Sequence, residues 1–344
     1  MIQFTPMDAK TYLSEYSKEF KFFKDKYFQN KIKEASKIDK IAVESIKVLS
    51  EYMEGGKHAR GALVLLGYKI AGGQNLKSVF PASFAVELIH NSLLIHDDFV
   101  DNDKLRRGKK TVHEIFKDKR NDSHYGASMA IMIADLGIFW AHQILSGTKA
   151  IFEFDQLLVN TGYGELLDID FDYKENITWE DIVKVRIYKT AHYTFVMPLQ
   201  IGAILAGGKD NLLQNFKNYG EPIGLAFQIQ DDILGIFGDS DETGKSNDSD
   251  IREGKHTLLY FKALELANKK EKEFLKTHYG KTTNNKEISE IRKIIKNSRA
   301  LDFSQKTAFN FVEKGKKYIP EITKDKDLQD TLLSLADYII QRKK

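Results

Sequence analysis

Mostly apolar residues recur at steps of three and four positions through much of this 344-residue chain. Two series follow the spacing: Ala85, Leu88, Ile89, Ser92, Leu93 and His96, and Leu328, Leu332, Leu335, Tyr338 and Ile339. This spacing aligns side chains on one face of an α-helix, whereas the alternation typical of strands is rare. Only five prolines, the strongest helix breakers, interrupt the chain. The pattern predicts an all-α protein with breaks near Gly72-Gly73, near Gly207-Gly208 and within 238–254.

The bulk composition narrows the class of protein. A hydrophobic fraction of 42% and a charged fraction of 29% are typical of a globular protein, and no linker is evident, so we expect one domain over residues 1–344. A net charge of +3 does not indicate a nucleic-acid partner. The lack of cysteine excludes disulfides, thiolate zinc sites and cysteine nucleophiles. Because the first residues lack a signal-peptide pattern and the apolar runs are too short to span a bilayer, we expect a cytoplasmic protein.

Two pairs of adjacent aspartates stand out because each lies in an otherwise apolar helical stretch. The first is Asp97-Asp98, and Asp101 follows Asp97 by one helical turn. The second is Asp231-Asp232, within residues 227–237. Carboxylates on apolar helices are costly to bury unless cations balance them. Mg²⁺ fits such positions, because it binds one or two carboxylates and keeps its other ligand positions for water and phosphate.

Basic residues lie close in the sequence to both aspartate pairs. They are Lys57 and Arg60 before the first pair, Arg106 and Arg107 after it, and Lys245, Arg252 and Lys255 after the second. A single aspartate string is equally typical of a solvated helix end, and most single cations are surface charges. Alternating acidic and basic clusters are what a diphosphate site requires, because metal ions bridge carboxylate and phosphate while Arg and Lys bind the remaining oxygens.

The same segments resemble the motifs of the trans-prenyl diphosphate synthases, which elongate isoprenoid chains head to tail, and the archaeal geranylgeranyl diphosphate synthases most of all. The matching strings are GGKHAR at 55–60, ELIH at 87–90, LIHDDFVD at 94–101, LRRG at 105–108, KT at 189–190, FQIQDDIL at 227–234, GK at 244–245 and SDIREGKHT at 249–257. The resemblance implies the isoprenoid synthase fold, a large helical bundle around a central apolar cavity. It also implies a homodimer that acts on isoprenoid diphosphates with three Mg²⁺ ions.

The resemblance also implies a role for each matching position. Asp97 and Asp101 would bind two magnesium ions and Asp231 a third, while Asp98 and Asp232 would act mainly through bound water, with Asp168 nearby. The allylic diphosphate would contact Arg106, Lys189, Thr190, Gln228, Lys245 and Lys255. Within that set, the Lys189 carbonyl and the Thr190 hydroxyl would face the developing carbocation. The diphosphate of isopentenyl diphosphate would contact Lys57, Arg60, His90 and Arg107.

The implied activity is a Mg²⁺-dependent prenyl transfer, in which the allylic diphosphate ionises and isopentenyl diphosphate attacks the cation. Ile89, Ser92 and Leu93 precede the first aspartate pair and are expected to line the tunnel for the growing chain. Because Ser92 is small and Leu93 is not aromatic, we expect geranylgeranyl diphosphate (C20), with farnesyl diphosphate or a C25 or longer product as alternatives. A class I terpene cyclase and a non-catalytic partner subunit are remote alternatives.

Four positions depart from the family pattern. His58 stands where Arg is usual, Gly61 where Pro is usual, Glu165 where Gln is usual, and Gly235 where the second motif has a third Asp. The missing carboxylate puts a direct metal role at residue 235 in doubt, although similar archaeal synthases also carry Gly there. The stretch 239–250 imitates an EF-hand calcium loop, but its last position lacks the bidentate Glu, which argues against calcium.

Overall fold

The computed structural model describes residues 8–171, 173–174, 177–238, 248–281 and 284–341. Its α-helices, in chain order, are α1 (Ala9–Ala35), α2 (Lys40–Tyr52), α3 (Ala59–Ile70), α4 (Leu76–Val100), α5 (Val112–Arg120), α6 (Ser123–Leu145), α7 (Ile151–Phe171), α8 (Trp179–Arg186), α9 (Met197–Leu205), α10 (Asp210–Phe237), α11 (Ser249–Glu253), α12 (Leu258–Leu266), α13 (Lys269–His278), α14 (Asn285–Asn297), α15 (Ala300–Lys316), α16 (Ile319–Ile322) and α17 (Lys326–Gln341). A π-helix, Ile187–Val196, joins α8 to α9. The strands β1 (Leu105–Arg106) and β2 (Lys109–Lys110) form an antiparallel hairpin.

The prediction of an all-α protein is confirmed. The described residues form helices and loops, apart from the two short strands of the hairpin. The predicted breaks at Gly72 and Gly207 are present. Both glycines have a positive φ, which glycine adopts at the end of a helix without a steric penalty. Most of the third predicted break, 239–247, lies outside the described residues.

The chain divides into two compact units. The first comprises Met1–Asp155 with Pro198–Leu213, and the second comprises Gln156–Met197 with Gln214–Lys344. The composition gave no signal of this division, because the same helical pattern continues through both units. One domain over residues 1–344 therefore stays a prediction.

In the first unit, α4 is the central helix. It packs against α3 and α6, and its Phe84, Leu88 and Ile89 side chains are fully buried. The contact with α6 is very close at Gly137, where a Cβ would lie 2.0 Å from Ser92 Oγ. Small residues at this crossing let the two helices approach each other and hold the end of α4 in place.

In the second unit, glycines let two helices pack tightly on the π-helix. A Cβ at Gly224 of α10 would lie 2.4 Å from Ala191 Cα, and a Cβ at Gly164 of α7 would lie 2.4 Å from Lys189 N. The π-helix is therefore held from α7 and from α10, and π-helical turns often occur at functional sites. Further along, α12 packs on α15, and α15 packs on α14 and α17.

Two described helices, α4 and α6, are long and apolar enough to cross a membrane when only length and composition are considered. The sequence analysis argued against a membrane span because the apolar runs are short and interrupted. Each helix has an 18-residue window that is its most apolar part, and 67% of this window is buried in α4 and 33% in α6. A buried core helix meets the same criteria, so this finding is weak evidence for a membrane span.

Candidate active site

The first acidic cluster, Asp97, Asp98 and Asp101, occupies the C-terminal end of α4. The side chain of Asp97 is 25% exposed, that of Asp98 is 1% exposed, and Asp101 is exposed at the C-cap. Helical spacing puts Asp97 and Asp101 on one face. The structure therefore leaves Asp97 and Asp101 accessible to a metal ion and turns Asp98 inward.

Asp98 is held by two donors. The Tyr52 hydroxyl, at the end of α2, donates to Asp98 Oδ2 at 2.5 Å, and Arg106 Nε donates to Asp98 Oδ1. Arg106 also donates from Nη2 to Asp97 Oδ2 at 3.2 Å. Burial, together with the charge of Asp98, raises the pKa of Tyr52, so its hydroxyl keeps the proton that it donates. Sequence reasoning missed Tyr52, since an aromatic residue at a helix end is usually a core residue.

The β1–β2 hairpin positions both arginines of the LRRG string. Its turn residues Arg107 and Gly108 have φ values of 52° and 74°, as a two-residue hairpin turn requires. Arg107 Nη1 donates to the carbonyl of Glu54 at 2.8 Å and to that of Tyr52 at 3.3 Å. Arg107 therefore fixes the loop that leads to Lys57.

The residues predicted to bind isopentenyl diphosphate lie around the start of α3. Arg60 is in the first turn of α3, Lys57 is exposed in the preceding loop, and His90 lies on α4. Burial, followed by the charges of Arg60 and Arg107, holds the pKa of His90 well below its usual value. The structure thus brings His90, Arg60 and Arg107 close enough to interact electrostatically.

Side chains of α1 explain two of the departures from the family pattern, because they pack against these two positions. His58 stacks on Phe20 with ring centroids 4.0 Å apart, and burial lowers its pKa. Gly61 donates its N–H to Glu87 Oε1 at 2.7 Å, and a Cβ there would lie 1.9 Å from Tyr16 Oη. Proline at position 61 would remove this donor and collide with Tyr16.

The second acidic cluster, Asp231 and Asp232, lies on α10. Asp231 is exposed, whereas Asp232 is buried. Asp232 Oδ1 accepts a hydrogen bond from Gln228 Nε2 at 2.9 Å, and Arg186 Nη2 lies 3.4 Å from Asp232 Oδ2. Burial raises the pKa of Asp232 to about 7, although Arg186 opposes the shift. In the second cluster, as in the first, one aspartate is accessible and its neighbour is buried.

Arg186 is a site residue that sequence reasoning did not identify. Its side chain is 14% exposed, and it interacts electrostatically with Asp232, Asp168, Asp250 and Asp231. Burial acts against its charge, but these carboxylates raise its pKa. An arginine three residues before a Lys-Thr pair carries no signal that distinguishes it from a surface cation.

The π-helix presents Lys189 and Thr190 to the same group of residues. Lys189 Nζ lies 2.7 Å from Asp168 Oδ2 and 2.8 Å from Glu165 Oε2. The Thr190 hydroxyl donates to Gln228 Oε1 at 3.0 Å. The structure thus connects Thr190, Gln228 and Asp232 in one hydrogen-bonded chain, and it explains Glu165 as an ion-pair partner of Lys189.

The predicted allylic-site cations after α10 are only partly described. Lys255 donates its backbone N–H to the Asp250 carbonyl at 3.0 Å, and its Nζ lies 3.1 Å from Glu253 Oε2. Lys245 lies outside the described residues. So do positions 239–247 of the stretch that imitates a calcium loop.

The expected chain-length wall lies deep in the first unit. Ile89 and Ser92 are fully buried, with Ser92 against Gly137 of α6, and Leu93 is partly exposed. One helical turn from Leu93, His96 Nε2 lies 3.4 Å from Asp135 Oδ1 on α6. This contact joins α4 to α6 immediately before the first acidic cluster.

The accessible carboxylates Asp97, Asp101 and Asp231 suit Mg²⁺ better than they suit a metal ion that takes all its ligands from the protein. Among the residues that the structure describes, no group of three or more His, Asp or Glu side chains is arranged to hold a metal ion. Mg²⁺ needs no such cage, because one or two carboxylates suffice when water and substrate phosphate complete its shell. Asp97, Asp101 and Asp231 supply oxygen donors of this kind.

Comparison with known proteins identifies the family. The polyprenyl synthetase family model matches residues 43–297. Over 305 residues the chain is 32% identical to the geranylgeranyl diphosphate synthase of Sulfolobus acidocaldarius, with 85% of this chain and 89% of that one covered. Over 296 residues it is 30% identical to the geranylfarnesyl diphosphate synthase of Aeropyrum pernix, with coverages of 84% and 91%.

A solved structure shows the same fold. It is a geranylgeranyl pyrophosphate synthase from Corynebacterium glutamicum, complexed with isoprenyl diphosphate and magnesium. It matches with a TM-score of 0.89 at 28% identity, over 98% of this chain and 100% of that one. The predicted fold class and the predicted resemblance are both confirmed. The chain belongs to the polyprenyl synthetase family.

Proposed function

We propose that this protein is a chain-elongating prenyltransferase, which condenses isopentenyl diphosphate with an allylic diphosphate to give geranylgeranyl diphosphate. One observation carries the proposal. Asp101 at the C-cap of α4 and Asp231 on α10 are exposed and the Asp97 side chain is 25% exposed, whereas their neighbours Asp98 and Asp232 are buried in ion pairs. Exposed carboxylates with fixed, buried neighbours are the arrangement that an ion-bridged diphosphate needs.

The cofactor that these residues fit is magnesium, and three ions are proposed. Asp97 and Asp101 would hold two of them and Asp231 would hold the third. Bound there, the ions would neutralise the charge that develops on the departing diphosphate. Asp98 and Asp232 would act on the ions through bound water, and their own partners Tyr52 and Arg186 keep these two carboxylates in place.

Each diphosphate has its own set of cationic and polar side chains. The allylic diphosphate contacts Arg106, Lys189, Thr190, Gln228, Lys245 and Lys255. The diphosphate of isopentenyl diphosphate contacts Lys57, Arg60, His90 and Arg107. Because its pKa is lowered, His90 is neutral at pH 7 and donates a hydrogen bond without adding a charge.

The reaction proceeds by ionisation and addition. The allylic C1–O bond breaks and its electron pair leaves with the diphosphate, which Arg106 and Lys189 stabilise as its charge grows. The double bond of isopentenyl diphosphate then forms a carbon–carbon bond to C1, and a proton leaves to the released diphosphate. The Lys189 carbonyl and the Thr190 hydroxyl orient their dipoles towards the cation.

Product length follows from the α4 segment before Asp97. The side chain of Ser92 is small and Leu93 is not aromatic, so this segment places no aromatic block near the first acidic cluster. The relatives include enzymes named for C20 and for C25 products. We propose C20 because the similarity to the geranylgeranyl synthase is the greater of the two.

Purified protein with Mg²⁺, isopentenyl diphosphate and each allylic primer in turn tests the proposal by product sizing. A C20 diphosphate is the expected product. Arrest at C15 with excess isopentenyl diphosphate would contradict the product length alone. A cyclised hydrocarbon would indicate a terpene cyclase, and no turnover by folded protein would indicate a non-catalytic subunit.

We also propose that the protein is a homodimer. Apolar side chains are exposed at i, i+4, i+7 spacing on α6 and again on α7: Met132 (55% exposed), Leu136 (39%), Phe139 (59%), Val159 (47%), Tyr163 (58%) and Leu166 (65%). Stripes of this kind mark protein interfaces, and a second copy is the expected occupant. Light scattering should give twice the chain mass, and Leu136→Glu should give the monomer mass.

A cytoplasmic location stays a prediction.

A further inference from the structure

Two residues at the end of α13, Tyr279 and Gly280, contact the segment of chain that carries Lys255. The Tyr279 hydroxyl donates to the Lys255 carbonyl at 2.9 Å, across 24 positions of sequence. The Gly280 N–H donates to the Ile251 carbonyl of α11 at 2.8 Å, and the Ile251 side chain is fully buried. The end of α13 is therefore bonded both to α11 and to the loop between α11 and α12.

Two glycines let these segments approach each other backbone to backbone. A Cβ at Gly254 would lie 2.8 Å from Gly280 Cα, and a Cβ at Gly280 would lie 2.9 Å from Gly254 Cα. Their φ values are 74° and 73°, in the left-handed region that favours glycine. Gly254 is the residue before Lys255, so this close contact restricts the backbone at the lysine.

The Tyr279 ring is fixed by packing. Tyr279 is 6% exposed, and its ring stacks on that of Tyr260 in α12, with centroids 4.0 Å apart and an interplanar angle of 11°. Burial raises the pKa of Tyr279 well above its usual value, so the hydroxyl keeps its proton. Tyr279 is thus a rigid, neutral hydrogen-bond donor.

The backbone of Lys255 is held on both sides, whereas its amine is accessible. Its carbonyl accepts the Tyr279 hydroxyl and also the Thr257 N–H, the latter at 2.9 Å. Its N–H donates to the Asp250 carbonyl at 3.0 Å. The Lys255 side chain is 40% exposed, and its Nζ lies 3.1 Å from Glu253 Oε2.

We propose that Tyr279 is a positioning residue, which holds the backbone of Lys255 so that the lysine amine can bind the allylic diphosphate. The inference rests on the proposed function, which assigns Lys255 to that diphosphate. A lysine side chain loses rotamer freedom when its amine binds. A backbone fixed in advance leaves less freedom to lose, so binding is tighter.

Steady-state kinetics with isopentenyl diphosphate and geranyl diphosphate test the proposal. Tyr279→Phe keeps the stacked ring and removes the donor, and it should raise the KM for geranyl diphosphate by about three- to tenfold. The KM for isopentenyl diphosphate should stay within about twofold, because Lys255 is assigned to the other diphosphate. A purely structural loss would instead lower the amount of active enzyme and leave both KM values unchanged.

Tyr260→Phe is the matched control. It removes a hydroxyl from the other ring of the same stack and leaves the hydroxyl that donates to Lys255 in place. Its KM for geranyl diphosphate should stay within about twofold of the wild type. Circular dichroism and thermal unfolding confirm that each variant is folded at the assay temperature.

A double-mutant cycle tests whether Tyr279 acts through Lys255. Lys255→Ala should raise the KM for geranyl diphosphate, and adding Tyr279→Phe should then change it by less than about twofold. The inference is overturned, while the proposed function stands, if Tyr279→Phe alone raises this KM by less than about threefold or acts equally with and without Lys255. If the wild type does not condense the two substrates, the proposed function is overturned and this inference with it.

Discussion

The Tyr52 hydroxyl donates a 2.5 Å hydrogen bond to Asp98 Oδ2 and so ties the end of α2 to the first acidic cluster. With Arg106 on its other oxygen, Asp98 has both carboxylate oxygens occupied inside the protein. Asp97, its neighbour in the chain, stays 25% exposed. The two adjacent aspartates therefore differ: Asp98 anchors the helix end inside the protein, whereas Asp97 lies partly exposed, where we propose that it binds a metal ion.

Tyr52→Phe should raise the Mg²⁺ concentration needed for half-maximal activity by about 10-fold. The ring still fills its place, but Asp98 loses one donor, so the end of α4 is held less firmly. The free energy of unfolding should fall by about 1 kcal/mol. A magnesium titration of activity and a urea denaturation measure the two effects. Tyr173→Phe is the control, because that ring is 86% exposed. An unchanged magnesium requirement would show that Tyr52 only fills space.

Gly61→Ala should lower the free energy of unfolding by about 1–3 kcal/mol, because the new Cβ collides with Tyr16 and with the Ser83 carbonyl. Gly162→Ala is the matched control on another helix, where a Cβ would meet no atom within 4 Å. That control should be neutral or stabilising by up to about 1 kcal/mol. Urea denaturation of both variants makes the comparison. Equal effects at the two positions would contradict the packing described for α1, α3 and α4.

His113→Leu should gain stability relative to the wild type as the pH is lowered from 7.5 to 5.5. Burial lowers the pKa of His113 below its usual 6.5, so the unfolded chain binds a proton more readily than the folded one. The contribution of His113 is therefore complete above pH 6.5 and is lost as the pH falls through the folded pKa. Urea midpoints at several pH values measure the difference. His124→Leu, at an exposed position, should show no such trend, and a pH-independent difference for His113→Leu would count against its burial as a neutral ring.

The helical fold and the shared face of Asp97 and Asp101 could be predicted because both depend on local spacing. An i, i+4 relation is set by helix geometry, so Asp97 and Asp101 share a face in any helix that contains them. Tyr52 and Arg186 could not be predicted, because each meets its aspartate across 46 positions of sequence.

The departures at Gly61 and Gly235 show the same limit. In the sequence each is only a missing family residue. In the structure each is a space that a distant side chain fills, Tyr16 for Gly61 and Asp250 for Gly235. A single sequence does not reveal such pairs, because contact partners far apart in the chain leave no periodic signal.

The central claim is that the exposed aspartates bind the metal ions of a diphosphate-ionising enzyme. Its most direct test is magnesium-dependent release of diphosphate by Asp97→Asn and Asp231→Asn, beside Asp118→Asn at an exposed position of α5. Both cluster variants should stay folded and lose turnover by at least about 100-fold, while the control keeps wild-type rates. Wild-type rates in either folded cluster variant would contradict the account.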